Sequence, residues 1–238
     1  MFFISCNTKQ FNNSNLSNNN NKIEGEGFLS PKMAVKSYIQ AMQNGNVQKM
    51  IASFAIESYI EQYKLEEFLL QMTVYSYNMS PQSFPNTNNY TKTFNLINRQ
   101  NSISNKIAIQ YIILTYHQEL ESLRLKRIKS EKEIMTLIDE LGGSQNLEIM
   151  QSAHLVEFIN PTDLSEYYDR EATKKSIQRQ QKVLGCQDLQ SVVAKVNVNN
   201  KNYYFCFDVG CYNNKWYIIN LNGVIGTLLG SVSGIIEI

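Results

Sequence analysis

The sequence predicts an α+β fold in which N-terminal helices pack on a C-terminal antiparallel sheet. Apolar residues recur at helical spacing from Ala34 to Met72, and between Ser191 and Leu221 they alternate in steps of two. Paired asparagines at 199–200 and 213–214 punctuate that alternation as turns, which makes a three-stranded meander. The chain has 238 residues, 43% of them hydrophobic and 11% aromatic, enough to bury a sizeable core in one large domain.

The first six residues, Met1-Phe2-Phe3-Ile4-Ser5-Cys6, resemble the end of a bacterial lipoprotein signal, with a small residue before a lipid-modified Cys6. The charged region and most of the apolar region of such a signal do not precede it, as a late start or a truncated chain would explain. Asn7 to Lys22 is almost wholly polar and too poor in apolar groups to offset its chain entropy, so residues 1–28 read as a signal remnant and a disordered tether. Together these imply an extracytoplasmic domain anchored through lipidated Cys6, or secreted. No apolar run approaches the roughly 20 residues that span a bilayer, so a membrane is met only through the lipid.

Residues 29–238 then read as a single domain. Ser30-Pro31 opens a helix, the Ser capping free N–H groups and the Pro sitting where no N–H is needed. Ala34, Val35, Tyr38, Ile39 and Met42 form its apolar stripe, and Asn44-Gly45 ends it. Asn46 caps a second helix with Val47, Met50, Ile51 and Phe54, and a third stripe follows at Leu65, Phe68, Leu69 and Met72. Ser80 to Asn89 is a loop marked by two prolines. Ile103, Ile107, Tyr111 and Leu114 suit a helix, with Ile107 to Leu114 also readable as a buried strand. Glu119 to Glu140 is a charged helix stopped by Gly142-Gly143. Ala153 to Ile159 reads as a strand, Leu164 to Leu184 as a polar helix, and Ser191–Val198, Tyr203–Tyr212 and Lys215–Leu221 as the meander. Val224 to Ile236 is a packed terminal segment.

The segment Ser30 to Phe54, with Ala34-Val35, Tyr38, Ala41, Asn44-Gly45 and Val47, resembles the opening of nuclear-transport-factor-2-like domains. The strand pair ending in Lys215-Trp216-Tyr217-Ile218 is similar to the last strands of such domains. The resemblance implies a cone-like α+β fold interrupted by a helical insertion at about 81–143, and it fixes no function, because one fold hosts many chemistries.

The net charge of +1 provides no field for nucleic acid, and the basic residues at 124–132 are interleaved with glutamates and lack aromatic neighbours. Four cysteines and two histidines, His117 and His154, have no metal-finger spacing and no nucleophile-base signature, so neither metal nor cofactor is expected. In an oxidising compartment Cys186 could pair with Cys206 or Cys211, or all three could be buried thiols. Three residues remain as candidate ligand contacts. In the strand Tyr203–Tyr212, Tyr204 and Asp208 share a face, and within a cone they would form a hydrogen-bonding or acid-base pair of the kind the resemblance implies. A lone strand carboxylate is weak support for catalysis, and a solvent-facing place near a turn is expected for Asp208. Trp216 would serve as a ligand platform or, more ordinarily, as core. The expectation is a non-catalytic, surface-anchored binding domain for a small molecule, a cell-wall component or a protein. The alternatives are an enzyme using Asp208 and Tyr204, and a structural spacer in a cell-envelope assembly.

Overall fold

The computed structural model describes residues 22–72, 88–124, 148–231 and 233–238, with the side chains of 72 and 116–124 left aside. The tether to residue 21 with Cys6, most of the loop at 80–89, and the charged helix beyond Arg124 with the rest of its basic residues lie outside them. The fold is α+β, with the helices N-terminal to an antiparallel sheet of five strands.

Helix α1 (Pro31–Gln43) starts as its sequence dictates: Ser30 Oγ accepts from the Met33 N–H at 3.3 Å, and Gly45 closes the far end at φ 62°. Helix α2 (Val47–Ala52) is capped by Asn46 Oδ1, which accepts from the Lys49 N–H. Short α3 (Glu57–Gln62) and α4 (Leu65–Met72) follow. Helix α5 (Asn89–Arg124) runs for 36 residues, so Ile107 to Leu114 is helical and the strand alternative falls. Helix α6 (Glu148–Gln151) leads into β1 (His154–Ile159), and α7 (Pro161–Leu164) and α8 (Glu171–Leu184) precede the meander.

The meander is β2 (Asp188–Val198), β3 (Lys201–Tyr212) and β4 (Lys215–Leu221). Both hairpins turn on two asparagines at positive φ (Asn199 and Asn200 at 48° and 65°, Asn213 and Asn214 at 51° and 61°), the backbone that matches strand twist in a two-residue loop. After β4 come α9 (Gly223–Leu228) and β5 (Ile235–Glu237). Strand order is β1-β2-β3-β4, and β5 pairs with the start of β3 beyond the end of β4.

Side-chain alternation on β3 sorts the core. Tyr203, Phe205, Phe207 and Val209 join Val192, Ala194, Val196, Ile218 and Leu221 against α1 and the Ile103, Ile107 and Leu114 stripe of α5. Tyr38 sits at its centre, edge-on to Phe54 and Phe207, and its hydroxyl donates to Gln110 Oε1 at 2.8 Å. The helix-covered face is thus filled with side chains. The opposite face is covered by two smaller clusters. Tyr59, Ile60, Leu184 and Leu189 pack with Tyr212, Tyr217 and Ile219 at one end, and Val193, Cys206 and Ile225 pack together at the other.

Gln110 is fully buried, and its Nε2 has no partner among the described residues. Removing the Tyr38 hydroxyl also orphans its carbonyl oxygen. Tyr38→Phe is therefore expected to lower stability by about 1–3 kcal/mol in urea denaturation, and adding Gln110→Leu to restore most of the loss, because both unpaired atoms then leave the core.

Candidate functional site

Between the two clusters on the second face lies a cleft of about 450 Å³. Its floor is β3 and β4, its walls are α8 (Thr173, Ser176 and Gln180) and α9 (Val224, Thr227 and Leu228), and Lys106 enters from α5. Asp208 stands at the base, 5% exposed.

Two backbone features place Asp208 there. The β3–β4 register shifts by one residue between Asp208 and Val209, so β4 carries Ile219 as an extra residue and Asn220 falls opposite Asp208. The carbonyl of Ile219 accepts from Arg99 Nη2 at 2.8 Å, while Arg99 Nε donates to the Ala55 carbonyl and its guanidinium lies 4.1 Å over the Tyr59 ring. This clamp ties α5 to the bulge. Beyond β4 the chain doubles back at Asn222 (φ 110°) and Gly223 (φ 61°), and a Cβ on Gly223 would lie 2.4 Å from Asp208 Oδ1. Glycine is required there on both counts.

Asp208 Oδ1 accepts from Ser191 Oγ at 2.8 Å and from the Val224 N–H at 3.2 Å, and Oδ2 accepts no hydrogen bond from the described residues. Lys106 Nζ donates to Asn220 Oδ1 at 2.5 Å, reaching the neighbour of the carboxylate rather than the carboxylate. Burial raises Asp208 from the ordinary 3.8 to about 6, against the opposing pull of Ser191, Val224 and Lys106. Burial, with nearby Arg99, lowers Lys106 from 10.5 to about 8, while Asp208 opposes the shift. At neutral pH the cleft therefore contains an ammonium and a carboxylate, both partly stripped of water.

The sequence-based candidates separate. Asp208 is buried in a cleft, not on a solvent face. Its site is not the interior of a cone but the face turned away from α1. Tyr204 lies two pleats along β3, pairs with Lys195 and Ile236, and packs against the Cys206 cluster, so it does not line the cleft and forms no acid-base pair with Asp208. Trp216 packs at the edge of the main core, its backbone paired with Phe28, and serves as no platform for this cleft. Cys186, Cys206 and Cys211 are all free and buried, so the pairing of Cys186 with either strand thiol falls. Burial raises all three thiols, Cys186 and Cys206 to about 12. His154 is exposed, and its Nδ1 lies 3.0 Å from the Ser152 carbonyl, to which it donates in the tautomer protonated at that nitrogen. Among the described residues no group of three His, Cys, Asp or Glu could hold a metal ion, and no helix is long and apolar enough to cross a membrane.

Lys106 and Arg99 escaped sequence reasoning. The signal was present: Arg99, Lys106 and Gln110 fall at helical spacing with Ile103 and Leu114, so three polar residues share the buried stripe of α5.

No protein-family model matches the chain, and neither does any curated protein. Among solved structures, the chain is similar to a cystatin-like protein from Ruminococcus gnavus, with a TM-score of 0.54 and 11% identity. The match covers 87% of this chain and 44% of that one, so the chain spans less than half the length of its structural neighbour. That likeness shows a related α+β fold.

The sign of the Asp208 shift predicts a pH dependence. A carboxyl that holds its proton more tightly when folded stabilises the protein fully below about 4, and that contribution is lost as pH rises through about 6. At about 1.4 kcal/mol per pH unit, the ionised carboxylate costs the fold on the order of 3 kcal/mol at pH 8. Asp208→Asn keeps the acceptor for Ser191 and Val224 without the charge. It is expected to exceed the parent in stability by about 1–3 kcal/mol at pH 8 in denaturant titrations, with the gap closing below about pH 4.

Proposed function

We propose that this chain is a non-catalytic, surface-anchored binding domain whose cleft at Asp208 takes a small polar ligand. One observation carries the reading: a nearly buried carboxylate leaves Oδ2 without a hydrogen bond while lining a cleft of about 450 Å³. Burying charge is costly unless a partner completes it, and a cleft of this size suits a small molecule. The hydroxyls and amides of Thr173, Ser176, Gln180 and Asn222 offer further polar contacts.

Anchoring rests on the sequence alone, on Ser5-Cys6 after an apolar stretch and the polar run that follows. Kinship with nuclear-transport-factor-2-like domains likewise rests on the Ser30–Phe54 motifs and is part of this proposal. A catalytic reading draws its support from the same carboxylate. A proton affinity near 6 suits a general base, though with Asp208 and Lys106 as the working groups instead of Asp208 and Tyr204.

Ser176 is exposed on α8 at the mouth of the cleft, so Ser176→Trp should fill it without disturbing the core. Amide shift mapping with a library of small polar fragments is expected to move Asn220, Val224 and Thr227 in the parent, and Ser176→Trp to abolish the response at unchanged melting temperature. Shifts that cluster elsewhere, or survive the tryptophan, overturn the site. For the anchor, expression from an upstream start with a radioactive fatty acid is expected to label the chain, and Cys6→Ala to remove the label.

A further inference from the structure

The cleft holds two opposite charges, each with unused bonding capacity. Asp208 receives both of its hydrogen bonds on Oδ1 and none on Oδ2. The Lys106 ammonium has three N–H groups, and among the described residues its hydrogen bond is to Asn220 Oδ1. Asn220 is the cross-strand partner of Asp208, and paired residues in an antiparallel ladder stand about 5 Å apart. The bulge thus holds ammonium and carboxylate close together, with an amide interposed.

Such an arrangement selects its ligand by charge pattern. A simple anion would answer Lys106 and meet repulsion from Asp208, a simple cation the reverse, and a neutral molecule would leave both charges poorly solvated. A molecule bearing an ammonium and a carboxylate on neighbouring atoms answers both. Among the described residues no aromatic ring lines the cleft, so they offer no stacking surface of the kind that holds flat bases. Leu221, Val224 and Leu228 give it an apolar side for a ligand side chain. Resting on the reading of this cleft as a binding site, we infer that its ligand is a small zwitterion of the amino-acid class, its ammonium on Asp208 and its carboxylate on Lys106.

The test is calorimetric titration of the full chain with each proteinogenic L-amino acid, beside glucose, inorganic phosphate and spermidine as neutral, anionic and cationic probes. At least one amino acid is expected to bind, and its N-acetyl and carboxamide derivatives to bind about 10-fold or more weakly, as losing a charge-assisted hydrogen bond requires. Asp208→Asn is expected to weaken the free amino acid while leaving the N-acetyl derivative unchanged, and Lys106→Met to do the same for the carboxamide. A merely structural role for either residue would weaken parent and derivative alike, which overturns the assignment. Binding of glucose, phosphate or spermidine without any amino acid overturns the zwitterion and leaves the cleft as a site. Silence from every probe in the parent, together with no fragment response at the cleft, overturns both.

Discussion

A strand covered on both faces has no solvent side on which to leave a carboxylate. Strand β3 is buried along almost its whole length, with aromatic residues toward α1 and the Tyr204-to-Tyr212 row toward α8 and α9. In that second row Asp208 is the only charged side chain. Everything around it follows from keeping a charge there: a hydroxyl from the neighbouring strand, a backbone N–H from α9, and a glycine where any side chain would strike its oxygen. The interactions on Oδ1 offset part of the desolvation and leave the carboxyl with a proton affinity well above the ordinary one.

The cleft depends on two departures from regular structure, both at the end of β4. The Ile219 bulge turns Asn220 toward Asp208, and the Asn222-Gly223 corner brings α9 back over the sheet. Arg99 holds the first by satisfying the bulged carbonyl, and its position on α5 sets the reach of Lys106 two turns further along the same helix face. The long helix therefore does two tasks. Its apolar stripe closes the main core, and its cations reach past the edge of β4 to the other face of the sheet.

Much of the fold was legible in the sequence because local signals agreed with one another. Ser30-Pro31, Asn44-Gly45 and the two Asn-Asn turns each name a backbone state, and β2 and β3 alternate cleanly. The site was legible only in part. Asp208 was visible as a carboxylate on the Tyr204 side of β3, but period-two alternation does not say whether that side meets water or a second layer. The layer is built from α8 and α9, whose contacts are long-range. The bulge moved the relevant partner from Tyr204 on the same strand to Asn220 and Lys106, and no local pattern announces an extra residue at Ile219. Trp216 takes the more ordinary of its two expected places, its large ring packing at the edge of the main core and away from the cleft.

Asp208 is a desolvated carboxyl at the base of a cleft, held on one oxygen. The most direct measurement is an NMR titration of its side-chain carboxyl carbon in the free protein, assigned with Asp208→Asn. A midpoint near 6 is expected. A midpoint in the ordinary aspartate range, near 4, would contradict it, because that value belongs to a carboxylate in water.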